Sequence, residues 1–354
     1  MWGRFVVFSR ILEALYDKVL INIIHKETQT LFYIEVISKK EVKKSLYKEF
    51  DSLSFTSEMK DFVEGYIKQT PYWYVSFLDT SSLQGALPTC SKTEASRYVD
   101  LQDCEYKCYE GRWSFYTSRS DIYVLEKNYS EIGVDFVFSP FLVLHNFFKD
   151  KVSSYIALYV LVQEETLVLS VFENDTLLYA NYMELEKEHE SMSLTSEGLD
   201  DVDELEDISF DDDSIDLEDI DVDDQIESIE DFGEIEDLGD IEDLDALEDI
   251  EQFSDHKDIE EELLESGDKL SEGNGDNFTK DFQRFSLIER AVGDFYEDER
   301  YKSQFLENIY IADTIGVSND LKKYLEEEMF FNVYIRKMDI ATELCSLVKE
   351  ELKI

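Results

Sequence analysis

Twice in this chain an apolar run enters a short polar turn and comes straight back as a second apolar strand, over Val19 to Ile37 (VLINIIHKETQTLFYIEVI) and over Ala157 to Met183 (ALYVLVQEETLVLSVFENDTLLYANYM). β-Branched and aromatic residues flanking a polar break at this spacing predict β-hairpins. The turns read alike, Ile24-His25-Lys26-Glu27-Thr28 against Val162-Gln163-Glu164-Glu165-Thr166. A hairpin that recurs about 140 residues later predicts two related half-domains, a constraint that composition could not supply.

The formal charge of −50 over 354 residues resembles that of a disordered polyanion, yet hydrophobic residues make up 43% and aromatics 14%. Position resolves the conflict. Between Glu197 and Glu265 about half the residues are Asp or Glu, only His256 and Lys257 are basic, and about two thirds of the net charge resides there. The remainder has ordinary globular composition and enough length to bury one or two cores. Direct nucleic-acid binding is not expected, because the field repels phosphates and no Lys/Arg stripe offsets it.

The acidic tract repeats the tetrad apolar-Glu-Asp-apolar at Leu205, Leu217, Ile229, Ile235, Ile241 and Leu247, at spacings of twelve, twelve, six, six and six. Six fits neither the helical nor the heptad period, so no coiled coil is predicted. Like-charge repulsion and sparse apolar content predict disorder in isolation. Three roles suit such a tract: a solvated spacer, a multivalent set of motifs for a basic partner, or calcium binding. The last lacks the spaced ligands, the turn glycine and the terminal Glu of an EF-hand loop.

Cys90, Cys104, Cys108 and Cys345 are scattered and no secretory signal accompanies them, so reduced thiols in a cytosolic compartment are expected. Cys104 and Cys108 stand four apart, but no second ligand pair completes a zinc site, and no metal is expected. No transmembrane span is predicted, since Arg4, Arg10, Glu13, Asp17 and Lys18 break the opening stretch. Phe5, Phe8, Ile11, Leu12, Leu15 and Val19 fall on one helical face, which suits packing on the protein's own domain or touching a membrane.

Further along, Lys39 to Lys68 reads as helical up to Pro71, Tyr72 to Leu78 as a buried strand, and Asp79 to Lys92 as turn-rich. Strands are expected at 112–116, 122–127 and 134–138. Ser139-Pro140 opens a helix through Phe148. After the acidic tract a helix over Phe278 to Tyr296, a strand at Ile309–Ala312, a helix capped by Ser318, a strand over Phe331 to Ile335 and a terminal helix over Ile340 to Leu352 complete a mixed α/β pattern.

Paired hairpins opening two halves, with a long insertion in the second, resemble the actin-like (RNase H-like) ATPase fold, and within it the PilM family of type IV pilus assembly and the cytoplasmic domain of the type II secretion protein GspL. The residues that carry the resemblance are Ser139-Pro140-Phe141-Leu142, LVQEETLVLSVFENDTLL over 161–178 and IYIADTIGVSNDLKKYL over 309–325. The resemblance implies a two-lobed α/β molecule. Its parts would be a first half at 1–150, the start of the second at 151–187, a disordered acidic insertion at 188–276 and the remainder at 277–354.

Actin-like ATPases hold phosphates on two Asp-x-Gly turns, where glycine admits the backbone N–H groups and the aspartate positions magnesium or water. The corresponding positions here are His25 and Gln163, with neither acid nor glycine, and the third glycine-rich site has become Ala312-Asp313-Thr314-Ile315-Gly316. Of its glycines only Gly316 remains. The degenerate nucleotide positions are therefore His25, Gln163, Asp313 and Gly316, with Asp313 expected to serve its loop rather than catalysis. No Walker A loop or glycine-flanked nucleophilic serine is present.

The resemblance then implies a non-enzymatic scaffold with no cofactor, cytoplasmic and peripheral to the inner membrane. Its partner would be the short cytoplasmic tail of a PilN-like membrane protein, held in a groove near the first sheet and residues 79–92, with self-association into a ring as a family property. Pilus assembly, type II secretion, DNA uptake and a flagellar motor are the machines this reading admits. The alternatives are an ATPase with unorthodox phosphate loops and a binding module built on the acidic repeat.

Overall fold

The computed structural model describes residues 16–185 and 274–354. In the first half, β1 (Lys18–His25), β2 (Thr30–Ser38) and β3 (Glu41–Phe50) form an antiparallel meander. There follow α1 (Ser57–Ile67), β4 (Tyr72–Leu78), β5 (Gln84–Leu87), β6 (Cys104–Tyr109), β7 (Trp113–Ser118), α2 (Arg119–Asn128), β8 (Phe136–Phe138) and α3 (Pro140–Phe147). The second half repeats the plan with β9 (Ala157–Val162), β10 (Thr166–Glu173), β11 (Thr176–Glu184), α4 (Asn274–Glu297), β12 (Asn308–Asp313), α5 (Asn319–Glu327), β13 (Asn332–Lys337) and α6 (Ile340–Leu352).

The duplication is explicit in strand order. One sheet runs β3-β2-β1-β4-β8 and the other β11-β10-β9-β12-β13, with β4 and β12 parallel to the first strand of their own half. Both central strands are apolar on both faces, as strands covered on two sides must be. Leu20 and Ile24 point into the space between the sheets, while Val19, Ile21 and Ile23 pack outward with Met59 and Val63 of α1. The outer face of the second sheet is covered by Phe285, Ile288 and Phe295 of α4 and Leu321 of α5.

Two helices fill the middle. The C-terminal α6 returns to pack on β1, β2 and β4 of the first sheet, and α3, from the end of the first half, packs on β9 and β10 of the second. One apolar cluster therefore joins the halves, from Leu20 and Tyr33 through Leu144 and Leu344 to Tyr159 and Phe172. Each fully buried side chain of this size contributes about 1.5–3 kcal/mol. Polar pairs fix the seat of α6: buried Glu35 takes Lys349 Nζ at 2.6 Å and the Tyr33 hydroxyl at 2.8 Å, and Asn22 Nδ2 donates to Cys345 Sγ.

Several expectations need correction. Each predicted hairpin is three-stranded, and Glu41–Phe50, expected in a helix over 39–68, is strand β3, paired along its length with β2. Leu46 and Phe50 are four apart, which places them on one face of a helix and equally on one face of a strand. The helix begins only at Ser57, after Thr56 caps it. Residues 122–127, expected as a strand, lie in α2. Ser118 Oγ accepts from Asp121 N there, and this N-cap outweighs the β-branched Ile122 and Val124.

The thiols differ too. Cys90 and Cys108 form a disulfide, Cα atoms 5.2 Å apart, which staples the loop after β5 to β6 in a small sheet ordered β5-β7-β6. Cys104 and Cys345 are free and buried. The opening residues read as an amphipathic segment lie outside the described residues up to 15, as does the acidic insertion read at 188–276, except for its last three residues, which belong to α4.

Candidate functional site

The parallel strands of both halves end at the same side of their sheets, and each half places a buried aspartate one step past its β4-type strand or at its last residue: Asp79 after β4 and Asp313 closing β12. The hairpin turns β1–β2 and β9–β10 rise beside them. In a duplicated α/β molecule this carboxyl end is where ligands are received.

The first turn is tied to its own half. Lys26 N donates to Gln29 O at 2.8 Å. Lys26 Nζ reaches Glu49 at 2.5 Å, and Gln29 Nε2 reaches Asp51 at 2.6 Å, so the end of β3 and the residue after it clasp the turn. His25 sets its Nε2 2.9 Å from the Tyr129 hydroxyl and its edge against Phe77. Burial holds its pKa below the usual imidazole value, which favours the neutral ring.

The second turn closes through Gln163 N to Thr166 O and Thr166 Oγ1 to Gln163 Oε1, both at 3.0 Å. α4 reaches it from the side: Arg284 Nη2 donates to Glu164 O at 3.4 Å, and Lys280 Nζ lies 4.0 Å from Glu165.

Between this turn and α5 runs the loop after β12. Asp313 accepts three backbone N–H groups of that loop, from Ile315 at 3.0 Å, Gly316 at 2.8 Å and Val317 at 3.1 Å. Gly316 takes φ +83, a left-handed conformation that side chains rarely adopt. Thr314 Oγ1 anchors the loop to Val162 O at 2.8 Å. Ser318 caps α5 as expected, its Oγ accepting from Asp320 N at 3.1 Å.

Beneath the loop, Asp281 and Arg284 form an ion pair at 2.6 Å, with 1% and 4% of their surfaces exposed. Asp281 also accepts Ser318 N at 3.1 Å. A buried pair of this kind persists only when further hydrogen bonds satisfy it. Arg284 Nε is buried with no acceptor among the described residues, and the residue helps line a cavity of about 360 Å³ with Glu164, Lys280, Asp281, Ile315, Gly316 and Ser318.

Of the positions singled out from sequence, Gly316 lines this cavity, Gln163 belongs to the turn that supplies its Glu164, Asp313 holds the loop from beneath, and His25 is engaged with Tyr129 in the other half. Leu205, Leu217, Ile229, Ile235, Ile241 and Leu247 lie outside the described residues. Lys280, Asp281 and Arg284 escaped the sequence reading, which followed only the apolar positions of their helix. An Asp and an Arg three apart on an amphipathic helix were the available signal.

Asp79 differs from its counterpart. It accepts Ser81 N at 3.0 Å, while Ser81 Oγ turns to Asp121. Burial, with the hydroxyl of Thr117 opposing and Asp121 reinforcing, pushes its pKa up to about 6.

A model of a family described as a domain of unknown function, DUF8341, matches residues 158–353, more than half of the chain. The chain belongs to the DUF8341 family. A second model, also a domain of unknown function, DUF8569, matches residues 16–145, so the break between the two falls between the structural repeats. No curated protein matches. Among solved structures, a Bacteroides thetaiotaomicron protein with an actin-like ATPase fold and unknown function aligns over 95% of this chain and 97% of its own, at 11% identity and a TM-score of 0.50. The PilM-PilN type IV pilus biogenesis complex aligns over 48% of this chain and 62% of that one, at 12% identity and a TM-score of 0.34. An exopolyphosphatase from Cytophaga hutchinsonii aligns over 47% and 50%, at 11% identity and a TM-score of 0.24. The fold of this DUF8341 protein is actin-like. Among the described residues no helix is long and apolar enough to cross a membrane.

Proposed function

We propose that this protein is a non-enzymatic, actin-like scaffold of a membrane-associated machine, which grips a protein partner in place of hydrolysing ATP. The observation that carries the reading is the state of the phosphate-facing positions. Both turns lack the glycine and the aspartate, and Asp313, at the third glycine-rich site, spends its carboxylate on three N–H groups of its own loop. Phosphoryl transfer needs backbone N–H groups and an acid aimed at the phosphates. Here the donors face inward.

The cavity beside Gly316 supports the same reading by its charge. Lys280 and Arg284 are matched there by Glu164 and Asp281, so it presents no net attraction to a polyanionic triphosphate. The partner in this reading is the cytoplasmic tail of a PilN-like membrane protein, a choice that rests on the resemblance of residues 139–142, 161–178 and 309–325 to the PilM family. Titration calorimetry with Mg-ATP tests the reading. Absence of binding heat is expected, and binding with micromolar affinity would return the chain to the ATPases with unorthodox loops.

A further inference from the structure

At the end of the first sheet remote from the His25 turn, β2 turns into β3 through Lys39 and Lys40. Both occupy the left-handed region, with φ +49 and +73, and Ser38 pairs with Glu41 across them. Two adjacent left-handed residues make the type I′ hairpin turn, which selects Asn-Gly or Asp-Gly and penalises long side chains.

The internal repeat supplies the comparison. The equivalent turn between β10 and β11 has the same geometry, φ +49 and +60, but is built from Asn174 and Asp175, which tolerate it. That turn is packed inward: Asn174 N and Asp175 N donate to Ser154 O and Val152 O, and Arg112 holds Asp175 at 3.0 Å. Lys39 and Lys40 are exposed, and among the described residues neither enters an ion pair. An unfavourable backbone conformation retained on two exposed cations points to use of their charge.

Their surroundings are amphipathic. The register sets Lys18 beside both Ile37 and Tyr72, so β1 starts next to this turn. Tyr16 leans on Tyr72, and both Tyr16 and Val42 are 48% exposed among the lysines. Lys43 reaches Asp17 at 2.9 Å.

We infer that this end of the first sheet rests on an anionic lipid surface, with Lys39 and Lys40 among the headgroups and Tyr16 and Tyr72 at the interface. Tyrosine favours that depth. Each lysine near an anionic leaflet strengthens partitioning roughly five-fold. The eight residues of β1 separate the lysine turn from the His25 turn by roughly 25 Å, so the inference stands whether or not the protein binds nucleotide.

Co-sedimentation of the full chain with phosphatidylcholine vesicles, and with vesicles containing one-third phosphatidylglycerol, tests it against the double variant Lys39→Asn, Lys40→Gly. The wild type should bind the anionic vesicles at low salt, leave them at high salt and ignore the neutral ones. The variant should lose roughly 30-fold in partition coefficient. Its thermal midpoint should hold or rise, because Asn-Gly suits the turn. Equal partitioning of the two proteins would overturn the inference. So would wild type that ignores anionic vesicles at low salt, or a variant that loses only capture of an acidic protein.

Discussion

Replacing Asp79 with Asn should stabilise the protein at neutral pH, although it removes a buried charge from the candidate site. Burial raises the carboxyl from 3.8 to about 6, so between these values the folded protein binds a proton that the unfolded chain has released. The sign follows: stability attached to Asp79 is present at low pH and is lost as pH climbs through that window. Two pKa units correspond to about 3 kcal/mol at pH 7.5, and the window is half crossed at pH 5, where the cost is about 1.5 kcal/mol. The amide still accepts Ser81 N, but as a neutral acceptor, which costs roughly 1 kcal/mol. Asp79→Asn should therefore gain about 2 kcal/mol at pH 7.5 and about 0.5 kcal/mol at pH 5. Urea unfolding of both proteins across that range measures the difference directly. A variant less stable than wild type by the same amount at every pH would refute the argument, because it would mean that the carboxylate is held charged by its hydrogen bonds.

Two further changes probe other parts of the account. Arg284→Met should cost about 3–5 kcal/mol by stranding Asp281, and adding Asp281→Asn should recover much of it, a coupling that a double-mutant cycle in urea would read. Reduction, or Cys90→Ser, should lower stability by about 3 kcal/mol, the loop-closure value for a bridge spanning 18 residues, as measured by melts with and without reductant.

The duplication was legible because the two central strands of each half are apolar on both faces and their turns are short. The third strands were not equally visible. β3 is an exposed edge strand whose lysines protect it from pairing with other chains, and that polarity imitates a solvated helix. α2 has no buried residue, so its apolar spacing carried no information and only the Ser118 cap announced it.

At the site, the turns could be located from sequence because they interrupt apolar runs. The Asp281–Arg284 pair could not be assigned, since the carbonyl that Arg284 meets belongs to Glu164, 120 residues earlier. The disulfide was hidden for a similar reason: Cys90 and Cys108 meet only after three short strands have paired. Lys39 and Lys40 read as ordinary polar residues until the backbone showed a turn that lysine does not favour.

The claim on which the rest depends is that the two turns and the Asp313 loop do not receive a triphosphate. Titration calorimetry of the full chain with Mg-ATP, repeated with ADP and with ATP lacking metal, addresses it most directly. The account predicts no saturable heat at millimolar nucleotide. Saturable, magnesium-dependent binding in the micromolar range that Gln163→Ala or Asp313→Asn abolishes would contradict it.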